Sequence, residues 1–376
     1  MSTDELIELR KKIHRNPELS GEEFQTQALV MEALESMDHD ELKKVGKTGV
    51  LASFKSQNSG KSVLIRGDMD ALPIQEINEF DYRSTKKRVA HKCGHDGHTA
   101  ILVALANLLS EKRMEKTDVH LVFQPAEEVG EGAAGVLEDP AFDIEPDFVY
   151  ALHNIPGYPL NQVIVKERAF TPAARSMVIA LKGKTSHAAE PENGINPGAP
   201  TADIIKALLD IATPDITAED FFLVTTIFVE LGERAYGTSA GEAEMGFTFR
   251  SWSNKVMKLQ SQKATELVMQ ICDHYGIQCD ISWTQEFFSN QNDPSAVVFI
   301  RQAACELKYD IHEKKEPFKW GEDFGLFTKK FRGAMFGLGA GENTPALHNP
   351  DYDFPDSLID SGSKMFYHII HQIDQQ

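Results

Sequence analysis

Between residues 91 and 98 the chain reads HKCGHDGH, so His91, Cys93, His95, Asp96 and His98 crowd candidate donors into one short stretch. Thiolate and imidazole together suit zinc and related divalent ions. A polar loop with a helix-capping aspartate would explain any one of these residues, whereas the five together point to a metal. No second CxxC or HxxxH follows at zinc-finger spacing, so the remaining ligands must come from distant segments, as in a catalytic site. Glu127 and Glu128 follow the apolar run HLVFQ through Pro125. Consecutive side chains at a strand end can diverge, one binding metal while its neighbour faces a bound water. His153 ends the run FVYAL, and His348 sits in the turn PALHNPDYDFPD. Alone, the first reads as a buried histidine bonded to backbone and the second as a solvated turn residue. Their common position, at strand ends or in the loops that follow, sets them with the others.

The elements that would position these groups are legible as alternating patterns. DELIELRKKIHRNPELSGEE predicts a helix stopped near Pro17, and FQTQALVMEALESM a second. KSVLIRGDMD is a β-branched run ending in acids, followed by TAILVALANLLSEK with the length and apolar density of a buried helix. DVHLVFQPAEE, DFVYALHN and GAMFGLGAGENTPALHNPDYDFPD repeat the theme of an apolar strand ending in ionisable residues. In an open α/β sheet ligands collect outside the carboxyl ends of the strands, which implies one shared crevice. The middle differs: SMVIALKG, GAPTADIIKALLDIA, FFLVTTIFVELG, AEMGFTFRSWS, KVMKLQSQKATELVMQICDHYG and QCDISWTQEF run β-α-β-β-α-β, a ferredoxin-like order. The α/β pattern resumes with PSAVVFIRQAACELKYD. The expectation is a two-domain α/β protein, with a discontinuous metal-binding catalytic domain over 1–171 and 287–376. A ferredoxin-like α+β lid or dimerisation domain is inserted at 172–286. At about 150 residues per domain, a chain of 376 fits two.

Composition removes several function classes. With 38 Lys plus Arg against 57 Asp plus Glu, the net charge of -19 repels phosphate backbones, so no nucleic-acid partner is expected. No apolar run approaches the roughly 18 residues needed to span a bilayer, and MSTDELIELRKK lacks the apolar core of a secretory signal; the expected compartment is the cytoplasm, with no membrane partner. Four cysteines, Cys93, Cys272, Cys279 and Cys305, are too sparse for a disulfide framework and are read as thiols. Cys272 and Cys279 read as small apolar residues of the inserted domain.

HKCGHDGH, DMDALP at 68–73, FQPAEE, ALHN, GEDF at 321–324, LHNPDYDF and, near the start, LRKKIHRNPELSGEE together resemble the M20 metallopeptidase family, in its amidohydrolase subfamily D. The resemblance spans nearly the whole chain in order. It implies a dinuclear metal centre that hydrolyses a linear amide, in the manner of aminoacylases, hippurate hydrolases and N-acetyldiaminopimelate deacetylases. It implies Cys93, His95, Glu128, His153 and His348 as ligands of two divalent ions, zinc, manganese, cobalt or nickel, with Glu127 as general base and Asp70 supporting the metal site. Asp68 stands where many members place a metal-binding histidine, and the Cys93 thiolate is part of the compensation. His187, in KGKTSHAAEP, resembles the lid histidine that supplies a donor from the partner subunit of a homodimer.

Two stretches depart from the family pattern. The usual GGHAAxPH appears as TSHAAEPE, and in place of an NxIP element the chain reads YGTSAGEAEMGFTFRS, with Gly237 where the lid asparagine is expected. Arg250, ending EMGFTFR, could pair with a substrate carboxylate or lie on the surface. The favoured activity is release of an acyl group from an N-acyl amino acid or related small N-acyl compound. A dinuclear dipeptidase or aminopeptidase, a metal-free amidase using Cys93 as nucleophile, and an inactive metal-binding protein are the alternatives.

Overall fold

The structure, a computed structural model, describes residues 1–58 and 60–376. Two compact units divide it: Met1–Phe170, Asn290–Lys315 and Glu322–Gln376 form the first, and Thr171–Ser289 with Glu316–Gly321 the second. The first opens with helices α1 (Thr3–Arg15) and α2 (Phe24–Glu35). A capping box starts α1: Ser2 Oγ accepts the Glu5 amide, and the Glu5 carboxylate accepts the Ser2 amide. The hairpin β1 (Glu41–Val45) and β2 (Gly49–Phe54) follows, then β3 (Ser62–Asp68), α3 (His95–Glu111), β4 (Asp118–Gln124), α4 (Gly132–Glu138), β5 (Phe148–Ile155), β6 (Val163–Val165) and β7 (Arg168–Thr171).

The second unit carries β8 (Ala173–Lys182), β9 (Ser186–His187), α5 (Gly198–Asp210), β10 (Phe222–Leu231), β11 (Thr238–Ser239), β12 (Glu242–Ser251), α6 (Asn254–Tyr275) and β13 (Gln278–Phe287). Its antiparallel sheet has the order β10-β12-β8-β13, the ferredoxin-like arrangement. Alternate residues of the strands, among them Met177, Ile179, Phe222, Met245 and Phe247, share one core with Ile204 and Leu208 of α5 and Ala264 and Val268 of α6. Ser253 caps α6 and Gly276, at φ +61°, ends it.

The chain returns to the first unit with β14 (Asn290–Asn292), α7 (Pro294–Leu307), β15 (Ile311–Glu313), α8 (Gly325–Lys330), β16 (Gly333–Gly339) and α9 (Leu358–Asp374). An eight-stranded sheet results, ordered β1-β2-β4-β3-β5-β16-β6-β15. Its centre, β4-β3-β5-β16, is parallel. These four strands are almost entirely buried, as expected for parallel strands covered on both faces. α3 is buried nearly all round, packed against α1, α2 and α9. The chain runs from β3 to β4 on one side and then crosses to β5 on the other, so the strand order reverses at β3. The carboxyl ends there form a ready crevice.

Candidate metal centre

Each central strand delivers acidic or imidazole groups to that crevice. β3 ends in Asp68, with Asp70 just beyond; β4 leads through Pro125 and Ala126 into Glu127 and Glu128; β5 carries His153; the loop after β16 carries His348. α3 begins at His95, and its helix cap, Gly94, sits at φ +94°. A β-carbon at Gly94 would come within 2.7–3.0 Å of the Asn154 side chain, so glycine lets Cys93 and His95 approach β5. Ala126, at φ +53°, and His348, at φ +66°, hold left-handed backbone without being glycine. Such strain gathers where the surroundings over-determine a functional loop.

The side chains converge. Cys93 Sγ lies 3.5 Å from His153 Nε2, and His153 Nδ1–H donates to the Asn154 carbonyl at 2.9 Å. His95 Nδ1–H donates to Asp70, 3.1 Å from both its carboxylate and its carbonyl. That leaves His95 Nε2 facing Glu128 Oε1 at 3.9 Å, Glu127 Oε2 at 4.0 Å and Asp68 Oδ1 at 3.7 Å. His348 Nε2 lies 3.7 Å from Glu128 Oε1. Among the groups whose donor atoms all lie within 4.8 Å of one another are Cys93/His95/His153, Cys93/Glu128/His348 and His95/Glu127/Glu128, with Asp68/His95/His98 beside them. Asp70 ties them together, because its other oxygen accepts Ser20 Oγ–H at 2.7 Å and the Glu128 amide at 3.0 Å.

The donors fit a cation. His95 Nε2 and Glu128 Oε1 are buried without a hydrogen-bond partner, and their separation is beyond hydrogen-bond reach. Ligands bonded to one zinc at about 2.0–2.3 Å stand about 3–4 Å apart, which these spacings approach. The charges agree. Burial pushes the Cys93 thiol well up, with Glu128 and Glu127 adding to the effect, and burial likewise raises Glu128 to about 7. For His95 burial favours the neutral ring, but Asp68, Asp70 and Glu128 outweigh it and hold the imidazole up at about 10. The pocket thus concentrates acid, and positive charge is favoured in it.

Not every candidate joins the donor groups around Cys93. His98 is committed elsewhere: Nδ1–H donates to Asp68 at 2.5 Å and Nε2 accepts the Asn154 amide at 3.3 Å. Asp96 is held by Arg10 and His14, and His91 is buried 6.3 Å from the His14 ring, centroid to centroid. His187 lies exposed in the second unit, on a two-stranded ribbon opposite Thr238, with Gly237 accepting the Ala188 amide. Arg250, also in that unit, is half-buried with Nη1 unpartnered, and burial lowers its pKa. All four cysteines are unpaired; Cys93 and Cys272 are buried, Cys279 is half-buried and Cys305 exposed.

Sequence patterns gave no role to Arg66, Glu322 or Asp323. The fully buried Arg66 guanidinium donates to Gln124 at 2.9 Å, Asp68 at 2.5 Å, Glu322 at 2.9 Å and Asp323 at 2.8 Å. Glu322 and Asp323 place carboxylate oxygens within 4.8 Å of Glu127, whose carboxyl is pushed up first by burial and then by Glu322. The motif GEDF was the available signal, but nothing local in it names an arginine more than 250 positions earlier.

Comparison with known proteins identifies the family. The profile of Peptidase family M20/M25/M40 matches residues 64–372. The chain is 32% identical over 368 residues to the N-acetylcysteine deacetylase of Bacillus subtilis, covering 96% of this chain and 94% of that one. It is 31% identical over 358 residues to the hippurate hydrolase of Campylobacter jejuni, covering 94% and 93%. The solved structure of the Bacillus subtilis YXEP protein, described as a dinuclear metal binding peptidase from the M20 family, superimposes with a TM-score of 0.84 at 29% identity, covering 99% of this chain and 98% of that one. With a family match over most of its length and donors clustered at the switch of its parallel sheet, the chain belongs to peptidase family M20/M25/M40.

Proposed function

We propose that this protein is a dinuclear metal-dependent amidohydrolase that removes the acyl group from an N-acyl amino acid or a related small N-acyl compound. The observation carrying the reading is that Cys93 Sγ belongs to two donor groups at once, Cys93/His95/His153 and Cys93/Glu128/His348, with Glu127 buried beside them. Cys93, His95, Glu128, His153 and His348 would hold two divalent ions, zinc by the chemistry of the donors, with manganese, cobalt or nickel as alternatives. Such ions, when bound, would lower the pKa of a water and polarise the amide carbonyl. Glu127 takes the proton of the attacking water and returns it to the departing amine; its raised proton affinity suits a group that must accept and then release a proton. Asp70 orients His95 through Nδ1 and steadies Glu128 through its amide. His187 supplies a donor to the reacting carbonyl from the second unit of a partner copy in a homodimer. Relatives named as a deacetylase and a hippurate hydrolase support the N-acyl class. Unpaired cysteines support a cytoplasmic setting, and among the described residues no helix is long and apolar enough to cross a membrane.

A second reading has one observation behind it: the 3.5 Å contact between Cys93 and His153 is the geometry of a thiol amidase dyad. Against it stands the burial of Cys93, which holds the thiol protonated. The test is hydrolysis of a panel of N-acetyl and N-benzoyl amino acids by metal-reconstituted protein, with and without chelator, alongside Cys93→Ser. Chelator-sensitive release of the acyl group and loss of bound metal in the variant support the proposal. Chelator-indifferent turnover with an acyl-enzyme trapped on Cys93 would establish the thiol mechanism instead.

A further inference from the structure

Lys92 immediately precedes Cys93 and is fully buried, a position an ammonium group tolerates only when paired. Its contacts reach two separate segments, the one that holds Glu76 and the 348–352 turn. Nζ donates to Glu76 Oε1 at 2.5 Å and to the Tyr352 carbonyl at 2.8 Å, while the Lys92 carbonyl accepts the His348 amide at 2.7 Å. One residue of the metal loop therefore grips the 348–352 turn at both ends. The far end of the turn is also held by Tyr352, buried in the core with its hydroxyl accepting the Asn154 side-chain amide, and by the Ile77 amide on the Pro350 carbonyl, but at the near end His348 is 52% exposed, sits in left-handed backbone and has its amide on the Lys92 carbonyl. The other donors are held by groups at the strand ends, His95 and the Glu128 amide by Asp70 just beyond β3, and His153 by the Asn154 carbonyl. The two donor groups that share Cys93 thus differ in their support: one is buried and locked, and the other depends on where the 348–352 turn is held.

Resting on the two-ion reading above, we propose that Lys92 is a positioning residue that sets the affinity of the outer ion, the one held by Cys93, Glu128 and His348, without touching ion or substrate. Neutralising Glu76 is not its main task. Glu76 already has His14 Nε2 at 3.1 Å and the Ser84 amide at 2.6 Å, whereas among the described residues the Lys92 ammonium and the Asn78 amide, at 3.3 Å, are what reach the Tyr352 carbonyl.

The test counts ions instead of turnover. Wild type, Lys92→Met and the double variant Lys92→Met/Glu76→Gln are titrated with zinc against a competing chelator, and bound metal per chain is measured. Wild type should bind two ions. Lys92→Met should keep the first at unchanged affinity, which also reports that it is folded, and bind the second about 10- to 100-fold more weakly, the usual cost of removing a group that orients a ligand. The double variant, which leaves no stranded carboxylate, should show the same loss. Unchanged affinity for both ions, loss of both, or recovery of the second ion in the double variant would overturn the proposal. A wild type that never binds two ions would overturn the two-ion reading itself.

Discussion

Glu127 is set among acids, near Glu128 on one side and Glu322 and Asp323 on the other, with Arg66 drawing the latter two into ion pairs. A neutral amide in its place preserves shape and removes only the proton acceptor. Glu127→Gln is therefore expected to bind two ions per chain, by metal analysis, while turnover falls at least about 100-fold, the lower end of what a positioned general base contributes. Near-normal turnover would mean that another group carries the proton. Much of this residue-scale picture was legible in the sequence, because HKCGHDGH, FQPAEE and ALHN each pack chemically suggestive types into a few positions. Arg66 was not, nor was the hold of Lys92 on Tyr352. Those partnerships join residues 256 to 260 positions apart and have no local pattern to betray them.

At the scale of elements, the start of α3 is the part on which the centre depends. A β-carbon at Gly97, in the first turn, would lie 2.4 Å from the buried Phe354 ring. Gly97→Ala must therefore push α3 away from the 348–354 turn. A loss of about 1–3 kcal/mol in urea unfolding is expected, together with weaker zinc binding. Gly135→Ala in α4, which meets nothing within 4 Å, should be neutral or stabilising and serves as the control. α1 contributes a charge clamp behind the same turn: His14 donates toward Asp96 at 2.8 Å and Glu76 at 3.1 Å. Burial disfavours its charged form, but Asp96 and Glu76 outweigh burial and raise its pKa to about 9. Because that pKa is raised above the ordinary value near 6.5, the contribution is complete below pH 6.5 and is lost as pH climbs through 9. Melting curves from pH 6 to 10 should show wild type losing stability over that window, and His14→Gln, less stable at pH 6, should lack this part of the slope. Equal slopes would place the proton elsewhere. The helices and central strands were readable from their periodicity. The clamp was not, since nothing local in LRKKIHRNPELSGEE ties Arg10 and His14 to Asp96, 82 to 86 positions further on.

At the scale of the molecule, the inserted unit raises the question of what its free edge is for. β10 lies at one edge of the four-stranded sheet and exposes Ile227 at 59%, Val229 at 41% and Leu231 at 43%, with Tyr236 in the following loop at 98%. Although β10 carries a register irregularity between Thr226 and Phe228 and the exposed Glu230, its apolar row still offers an edge for pairing with another chain. A second copy of this chain is the occupant the proposed role of His187 requires. Light scattering should give about twice the chain mass of 41.9 kDa, and Ile227→Lys with Val229→Lys should return the single-chain mass while leaving bound metal unchanged. Whether His187 then acts across the interface follows from mixing two inactive proteins. A Glu127→Gln chain retains His187 but lacks the base, and a His187→Ala chain retains the base but lacks the donor. If each site borrows its histidine from its partner, a mixed dimer contains one complete site, and mixing equal amounts recovers about a quarter of the wild-type rate when chains re-pair at random. If each chain used its own His187, every site in the mixture would lack one group or the other, and activity would stay at the sum of the two variants.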